Sequence, residues 1–421
     1  MGKTPCVKLS SARVVDGQLF APGRNETLSL GSSTWSRFKT VRVVPPPPHL
    51  AALPCAVTHE RAIFGAVPGN TGCRQIGHTF FNWLMPTWHT LNISGWSDPA
   101  VFVDCTGRPP SSIKGSTGGP EIEKAPSFVK EAATVLTGTP LRSLRRLLTP
   151  PPTEPMSVAS RLLRLVSPAH QITCFDRVLV GTQCSSLDHY NPKLPKGPMV
   201  AFRDAVARAV LSSARPHAVA ISAGMGWVPR DAARGVRVLL VARREGRRIL
   251  NEEEVLAAVR SVPGVNGKAV EKTYFDGPLH QQMAVSAAAH VMIGMDGTGL
   301  HNGNWMQPNA AVVHVLPFGA NALLPGKGDN FVRMWLALGI RPFRVDIVNR
   351  SDAMHPRGTA TPACVRCMNQ LAKGGKGRAL VGACENPSKQ VTKWYGCVLN
   401  QDQRLPVSAV AGAVNRAVQT W

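Results

Sequence analysis

Residues 236–316 constrain the fold more than any other stretch, because strand-like and helix-like patterns alternate along them. Residues 236–242 form an apolar run interrupted only by Arg237, which is typical of a strand buried on both faces of a parallel sheet. Similar strand patterns occupy residues 290–295 and 311–316. Strands separated by helical segments predict an α/β fold with a parallel sheet.

A helix is expected between the first two of these strands. Asn251 stands before three glutamates, and an N-cap acceptor with Glu254 at the third helical position resembles a capping box. Its core-facing stripe is predicted at Leu256, Val259 and Val262. A second helix is expected over residues 279–289.

A glycine-rich turn follows the strand at residues 290–295. Gly297, Gly299 and Gly303 are spaced one residue too widely for the dinucleotide-binding fingerprint, and no P-loop motif occurs in the chain. A glycine turn that leads into a helix exposes backbone N–H groups and can bind an anion. The same glycines also fit a tight turn that binds nothing.

The order of these motifs resembles the C-terminal half of glycosyltransferase family 61, which includes plant xylosyl- and arabinosyltransferases and animal O-linked N-acetylglucosaminyltransferases. In that family a basic run with R-x-L-N-E precedes a G-x-H-G-A-G-L-T-N turn, followed by a P-G-A segment, an apolar strand and an acidic residue. Residues 81–84 also resemble an earlier F-H-W-L block. The other matching positions are Arg243, Arg248, Asn251, Glu252, Gly294, Gly297, Gly299, Leu300, Asn302, Pro308 and Ala310.

The chain departs from the family pattern at several positions. Asp296 and Asn82 stand where the family has histidines, and His314 replaces the acidic residue of the last strand. A carboxylate beside a bound diphosphate repels it unless Asp296 turns away, caps the following helix or contacts the ribose.

The resemblance implies two Rossmann-like domains facing across a cleft, the GT-B architecture. It also implies an inverting transfer of a sugar from a UDP-sugar to a hydroxyl of a glycan or glycoprotein. At 421 residues the chain is long enough for two domains. The expected boundaries are 1–50 for a lead-in, 51–215 for an acceptor domain, 216–400 for a nucleotide-sugar domain and 401–421 for a closing helix.

The resemblance also places the donor site. Arg243 and Arg248 are expected to neutralise the leaving diphosphate, although these arginines also fit a solvated surface turn. The rest of the donor site is expected at Asp296, Gly297, Thr298, Gly299 and Leu300. Fixed cations and N–H dipoles can replace a metal in stabilising this charge, so no metal and no further cofactor is expected.

His78 is the candidate general base, because imidazole is easily poised near neutral pH. A histidine that hydrogen-bonds its own helix fits the sequence equally well. The helical spacing around His78 extends to Leu91, and Pro86 is expected to kink or break that helix.

The chain is strongly basic, with 48 Lys and Arg against 25 Asp and Glu and a formal net charge of +23. Such a charge favours anionic partners, although a solubilising Arg-rich surface also explains it. No nucleic-acid partner is expected, because the chain has no block of five or six like charges and no signature of a nucleic-acid-binding fold. A non-catalytic carbohydrate- or polyanion-binding protein is the alternative to the enzyme.

Cysteines and sequons favour the lumen of the Golgi or the endoplasmic reticulum. The chain has 10 cysteines and sequons at Asn25, Asn92 and Asn349. Four cysteines near the C-terminus favour disulfides over a zinc site, because they lack a second close pair: Cys364, Cys367, Cys384 and Cys397. Neither a transmembrane run nor a signal peptide is evident, so the sequence predicts either a soluble intracellular protein or a missing N-terminal membrane anchor. The resemblance favours the second.

Further elements are expected outside the central stretch. Strand patterns occupy residues 101–105, 175–180 and 343–348, and helical patterns occupy residues 200–211, 330–338 and 406–419. The last helix is expected to pack back on the first domain.

Overall fold

The fold is taken from a computed structural model of the chain. It divides into two compact units between Val210 and Leu211. The structure describes residues 7–15, 18–30, 40–51, 53–66, 83–104, 133–134, 136–144, 147, 172–181, 194–213, 235–323, 329–354, 362–374 and 401–421.

The first unit contains the following elements in its described residues. The strands are β1 (Val7–Val15), β2 (Gln18–Phe20), β3 (Glu26–Ser29), β4 (Thr40–Val44), β5 (Val57–Ala66), β6 (Ala100–Asp104), β7 (Leu141–Ser143) and β8 (Thr173–Val180). The helices are α1 (Pro48–Ala51), α2 (Met85–Ser94) and α3 (Lys196–Ser213), the last of which crosses the division between the units.

These strands form one mixed sheet in the order β3-β4-β2-β1-β8-β5-β6-β7. Its parallel part is β7-β6-β5-β8, which is 3-2-1-4 in chain order and matches one half of a Rossmann sheet. β1 then adds antiparallel to β8. Residues 7–44, predicted as part of a lead-in, therefore contribute four strands to this sheet.

A disulfide between Cys55 and Cys174 fastens the segment before β5 to β8. The bridge joins residues 119 positions apart, and a native disulfide closing so long a loop typically contributes about 2–4 kcal/mol. Cys364 and Cys367 each take part in a disulfide as well, as the sequence predicted. Cys384 and Cys397 lie outside the described residues.

Helix α2 begins at Met85 and carries Pro86 in its first turn. Proline is tolerated there because the first helical N–H groups have no partner within the helix. The α-helix thus starts beside Pro86, and because residues 67–82 lie outside the described residues, the kink or break expected at Pro86 in a longer helix stays a prediction. His78 and Asn82 lie in residues 67–82, outside the described residues.

The second unit contains a longer series of elements. The strands are β9 (Val236–Val241), β10 (Val265–Thr273), β11 (Val291–Met295), β12 (Ala311–Leu316), β13 (Arg341–Asp346), β14 (Ala353–Met354) and β15 (Asp402–Gln403). The α-helices are α4 (Glu252–Arg260), α5 (Leu279–Ala287), α6 (Ala320–Leu323), α7 (Asp329–Ala337), α8 (Pro362–Ala372) and α9 (Val407–Gln419). Thr298–Trp305 and Arg350–Asp352 are 3-10 helices.

The main sheet of the second unit has the order β10-β9-β11-β12-β13, and every pair in it is parallel. In chain order this is 2-1-3-4-5, a doubly wound arrangement. The prediction of an α/β fold with a parallel sheet is confirmed. The strand order reverses between β9 and β11, and we call the edge of the sheet beyond their carboxyl ends the switch point.

The core of the second unit lies on both faces of this sheet. α4 and α9 cover one face, where Val255, Leu256 and Val259 pack with the buried stripe of α9. The members of that stripe are Val410, Ala413, Val414, Ala417 and Val418. This stripe belongs to the core of the second unit, and the expected packing of the last helix on the first domain stays a prediction.

No helix in the described ranges combines the length and the apolar character that crossing a bilayer requires.

Candidate functional site

The switch point of the second unit is formed by the residues that follow β9 and β11. Gly294 of β11 pairs with Val241 of β9, so the two strands end close to the same level. Arg243 to Arg248 follow β9 in the chain, and Asp296 to Thr298 follow β11. In open α/β sheets, ligands bind beyond the carboxyl ends of the strands at this position.

Two arginine side chains converge on Gly297 at the switch point. A Cβ placed on Gly297 would lie 2.7 Å from Nη1 of Arg247 and 2.9 Å from Nη1 of Arg243. Gly297 has φ +153°, which favours glycine, and Nη1 of Arg247 donates to the backbone carbonyl of Asp296 at 2.8 Å. We call Arg243 and Arg247 the arginine pair.

The arginine pair carries concentrated positive charge. Burial lowers the pKa of Arg243, Arg247 lowers it further, and the nearby carboxylate of Asp296 acts in the opposite direction. Neither guanidinium forms an ion pair with a carboxylate in the described part of the chain. By contrast, Arg244 pairs with Asp276 at 3.0 Å. Two half-buried cations held together repel each other, and an anionic ligand relieves that repulsion.

The 3-10 helix Thr298–Trp305 starts directly after Gly297. The amide of Leu300 donates to the carbonyl of Gly297 at 3.0 Å, and the Leu300 side chain is fully buried. The first amides of a helix have no partner within it, so those of Thr298 and Gly299 are the donors this turn offers to an anion. Leu300 anchors the helix to the core rather than binding a ligand through its own amide.

Asp296 turns into the protein interior. Its side chain is fully buried, and Oδ1 lies 3.1 Å from Nε2 of the equally buried His314. Gly297 is the N-cap of the 3-10 helix and has no side chain that could cap it. Of the three arrangements expected for Asp296, the structure shows the carboxylate turned away.

Arg248 lies in a separate structural cluster. Nη2 and Nε of its guanidinium donate to Oδ2 of Asp402 at 2.7 Å and 2.9 Å, and its backbone N–H donates to Oδ1 at 2.9 Å. Asp402 is buried in β15. The Asp402 carboxylate thus compensates the charge of Arg248, whereas the expected contact between Arg248 and a diphosphate stays a prediction.

Asn251 extends the same cluster. Its Nδ2 donates to the carbonyl of Leu405 at 3.0 Å, and its Oδ1 accepts from the amide of Leu405 at 2.8 Å. Asn251 does precede α4, but its side chain makes no cap hydrogen bond, so the predicted capping box is wrong. Arg248 and Asn251 together hold residues 402–405 against the start of α4, and we call this arrangement the clasp.

Replacing Asn251 by alanine is expected to lower the free energy of unfolding by about 1–3 kcal/mol, because two buried backbone groups of Leu405 lose their partners. Replacing Arg248 by alanine is expected to destabilise the protein as well, because Asp402 keeps its buried charge. Urea unfolding measures both effects. Replacing the exposed Glu253 by alanine is the control and should change little.

The same variants separate the clasp from the arginine pair. If Arg248 acts only in the clasp, UDP affinity in the Arg248 variant should stay within about twofold of the wild type, whereas a contact with the diphosphate predicts a clear loss of affinity. A folded Arg248 variant that no longer binds UDP would show that Arg248 belongs to the donor site.

Six of the eight predicted site residues thus lie together at the switch point: Arg243, Asp296, Gly297, Thr298, Gly299 and Leu300. Arg248 lies in the clasp, and His78 lies outside the described residues. Arg247 was missed, although it belongs to the basic run after β9. Its left-handed backbone, with φ +59°, aims its side chain at Gly297, and residue type alone gave no signal for that.

A model of the family described as Glycosyltransferase 61 matches residues 76–313. The match spans β9, β11 and the switch point, together with the first half of β12, residues 311–313. A search of curated proteins finds no match. Because the family match covers more than half of the 421 residues, the chain belongs to glycosyltransferase family 61.

Proposed function

We propose that this chain is an inverting glycosyltransferase that moves a sugar from a UDP-sugar to a hydroxyl of a glycan or glycoprotein acceptor. Membership of family 61 supports glycosyl transfer. The observation that carries the donor assignment is the convergence of Arg243 and Arg247 on Gly297 at the switch point. A diphosphate is the part of a nucleotide-sugar that such a site suits best, because arginines and helix N-termini both favour phosphate oxygens.

The arginine pair would stabilise the leaving group. As the bond between the anomeric carbon and the phosphate oxygen breaks, its electron pair leaves with UDP and negative charge grows on the diphosphate. Fixed cations and amides aimed at that charge stabilise the transition state more than the ground state. We therefore propose that no metal is required for this step.

The acceptor hydroxyl needs a base that removes its proton as its oxygen attacks the anomeric carbon from the opposite face. His78 is the proposed base. The segment that carries His78 follows the carboxyl end of β5 in the sequence. The order of the parallel strands in the first unit reverses between β5 and β8. The 3-2-1-4 order in the first unit and the 2-1-3-4-5 order in the second support our proposal that the two units are the domains of a GT-B enzyme.

The experiment that tests the function is UDP release from a panel of UDP-sugars, with glycan and glycoprotein acceptors, in EDTA. UDP release that depends on an acceptor is expected with at least one donor, including UDP-xylose and UDP-N-acetylglucosamine in the panel. NMR of the product should then show the anomeric configuration opposite to that of the donor. Glycan binding without UDP release from any donor would favour the non-catalytic carbohydrate-binding alternative.

We propose that the protein works in the lumen of the Golgi or the endoplasmic reticulum, reaching the membrane only through an N-terminal anchor. The disulfide between Cys55 and Cys174 supports an oxidising compartment. The sequon asparagines Asn25, Asn92 and Asn349 are all exposed, so the folded chain can carry glycans there.

Glycosylation at Asn349 gives a direct check on this compartment. Asn349 has extended backbone, with φ −88° and ψ +130°, and its side chain is exposed. Protein secreted from a eukaryotic host should lose mass on treatment with an N-glycan amidase, and the Asn349→Gln variant should lose less. Secreted, folded protein that carries no N-glycan at any sequon would contradict the prediction.

A further inference from the structure

We propose that His314 is a positioning residue that holds the carboxylate of Asp296 away from the arginine pair, so that both guanidinium groups stay available to the diphosphate. This inference rests on the proposed function, because it concerns the same donor site.

Asp296 connects the arginine pair to His314. Its backbone carbonyl accepts from Nη1 of Arg247 at 2.8 Å, and its carboxylate Oδ1 lies 3.1 Å from Nε2 of His314. The charge of the same carboxylate acts on Arg243. The carboxylate whose charge acts on Arg243 is thus also held by a histidine.

His314 is itself fixed in place. It lies on β12, where it pairs with Gly294 of β11, and its side chain is buried. Its ring meets Trp335 edge-on with the centroids 5.5 Å apart, and it also contacts Phe331 at 5.8 Å. Both aromatic residues belong to α7. A ring packed in this way directs Nε2 at Asp296 and cannot reach a sugar acceptor, so we assign it no catalytic role.

The position of the Asp296 carboxylate determines the net charge of the site at which a diphosphate would bind. A buried carboxylate needs hydrogen bonds, and without His314 the neighbouring guanidinium groups would attract it. A carboxylate that pairs with Arg243 neutralises half of the positive charge of the pair and repels phosphate. The interaction with His314 therefore keeps the switch point cationic.

Calorimetric titration of UDP in EDTA tests the proposal on the wild type, His314→Phe, Asp296→Asn and the double variant. Phenylalanine keeps the ring packing against Trp335 and removes the hydrogen bond. His314→Phe should weaken UDP binding about tenfold, which is the size expected for one unit charge at roughly 10 Å in an effective dielectric of about 20. In the Asp296→Asn background the same replacement should change UDP affinity little, because the carboxylate is gone.

A structural role alone would give a different pattern. His314→Phe would then weaken UDP binding by the same factor in both backgrounds, and that result overturns the proposal. Unchanged affinity in His314→Phe overturns it as well. If that variant does not fold, as judged by circular dichroism, His314→Met takes its place, because methionine adapts to irregular cavities, and the same outcomes apply. A wild type that does not bind UDP removes the proposed function itself, a distinct failure.

Discussion

Replacing both Arg243 and Arg247 by alanine is expected to weaken UDP binding about 10²- to 10⁴-fold, since each charge-assisted hydrogen bond contributes about 1.5–3 kcal/mol and every 1.4 kcal/mol is tenfold. Each single variant should lose about ten- to a hundredfold. The stability of the double variant should rise or stay unchanged, because the repulsion between two half-buried cations is removed. Calorimetric titration of UDP measures the affinity, and urea unfolding measures the stability.

Arg244→Ala is the matched control. Arg244 lies between the two members of the pair in the chain, carries the same charge, and is exposed and paired with Asp276. Its replacement should change UDP affinity by no more than about threefold, because exposed ion pairs and screened charges contribute little. Equal losses from Arg244→Ala and from the variants of the pair would mean that only the net charge matters, and the geometric assignment would be wrong.

Replacing Gly297 by alanine should have the second-largest effect, with UDP binding about a hundredfold weaker, comparable to losing one charge-assisted pair. The new Cβ would meet Nη1 of Arg247 and of Arg243 at 2.7 Å and 2.9 Å. These atoms are the far ends of flexible side chains, so the arginines move instead of the backbone. The φ of +153° adds strain of about 1–3 kcal/mol to the folded state.

Gly374→Ala separates strain from displacement of the arginines. Gly374 also has positive φ, at +76°, and a Cβ there would meet nothing within 4 Å. This control should lose stability and keep its UDP affinity. If Gly297→Ala lost stability by a similar amount and still bound UDP as the wild type does, the close approach of the arginines to Gly297 would have no role in binding.

The strands that build the switch point were predictable because their residue patterns are strong. β9, β11 and β12 are apolar throughout or nearly so, which is the pattern of a buried parallel strand. β10 was not predicted. It contains Gly267, Lys268 and Lys272, and most of it is at least partly exposed because it lies at the edge of the sheet. Edge strands carry charged residues, so their pattern resembles that of a loop.

The clasp was not predictable from local sequence. Asn251 has the residue type and position of a helix cap, but its side chain bonds Leu405, 154 positions along the chain. A local motif predicts the local use of a side chain, and tertiary contacts can replace that use. Arg248 is a second example, because its partner Asp402 also lies 154 positions away in the sequence.

The pairing of Asp296 with His314 also depended on the fold. From the sequence, each residue stood out only as a separate departure from the family pattern. The register of β11 and β12 places them together, with the amide of Asp296 donating to the carbonyl of Val315 at 2.8 Å. The two residues that stand apart in the sequence thus form one pair in the fold.

The most direct test of the donor-site assignment compares UDP with uridine by calorimetric titration in EDTA. Uridine lacks the diphosphate that the arginine pair and the amides of Thr298 and Gly299 are proposed to bind. UDP should bind without metal and at least about a hundredfold more tightly than uridine, as expected when two charge-assisted contacts are lost. Equal binding of the two ligands, or UDP binding that appears only when Mn²⁺ is added, would contradict a metal-independent diphosphate site at the switch point.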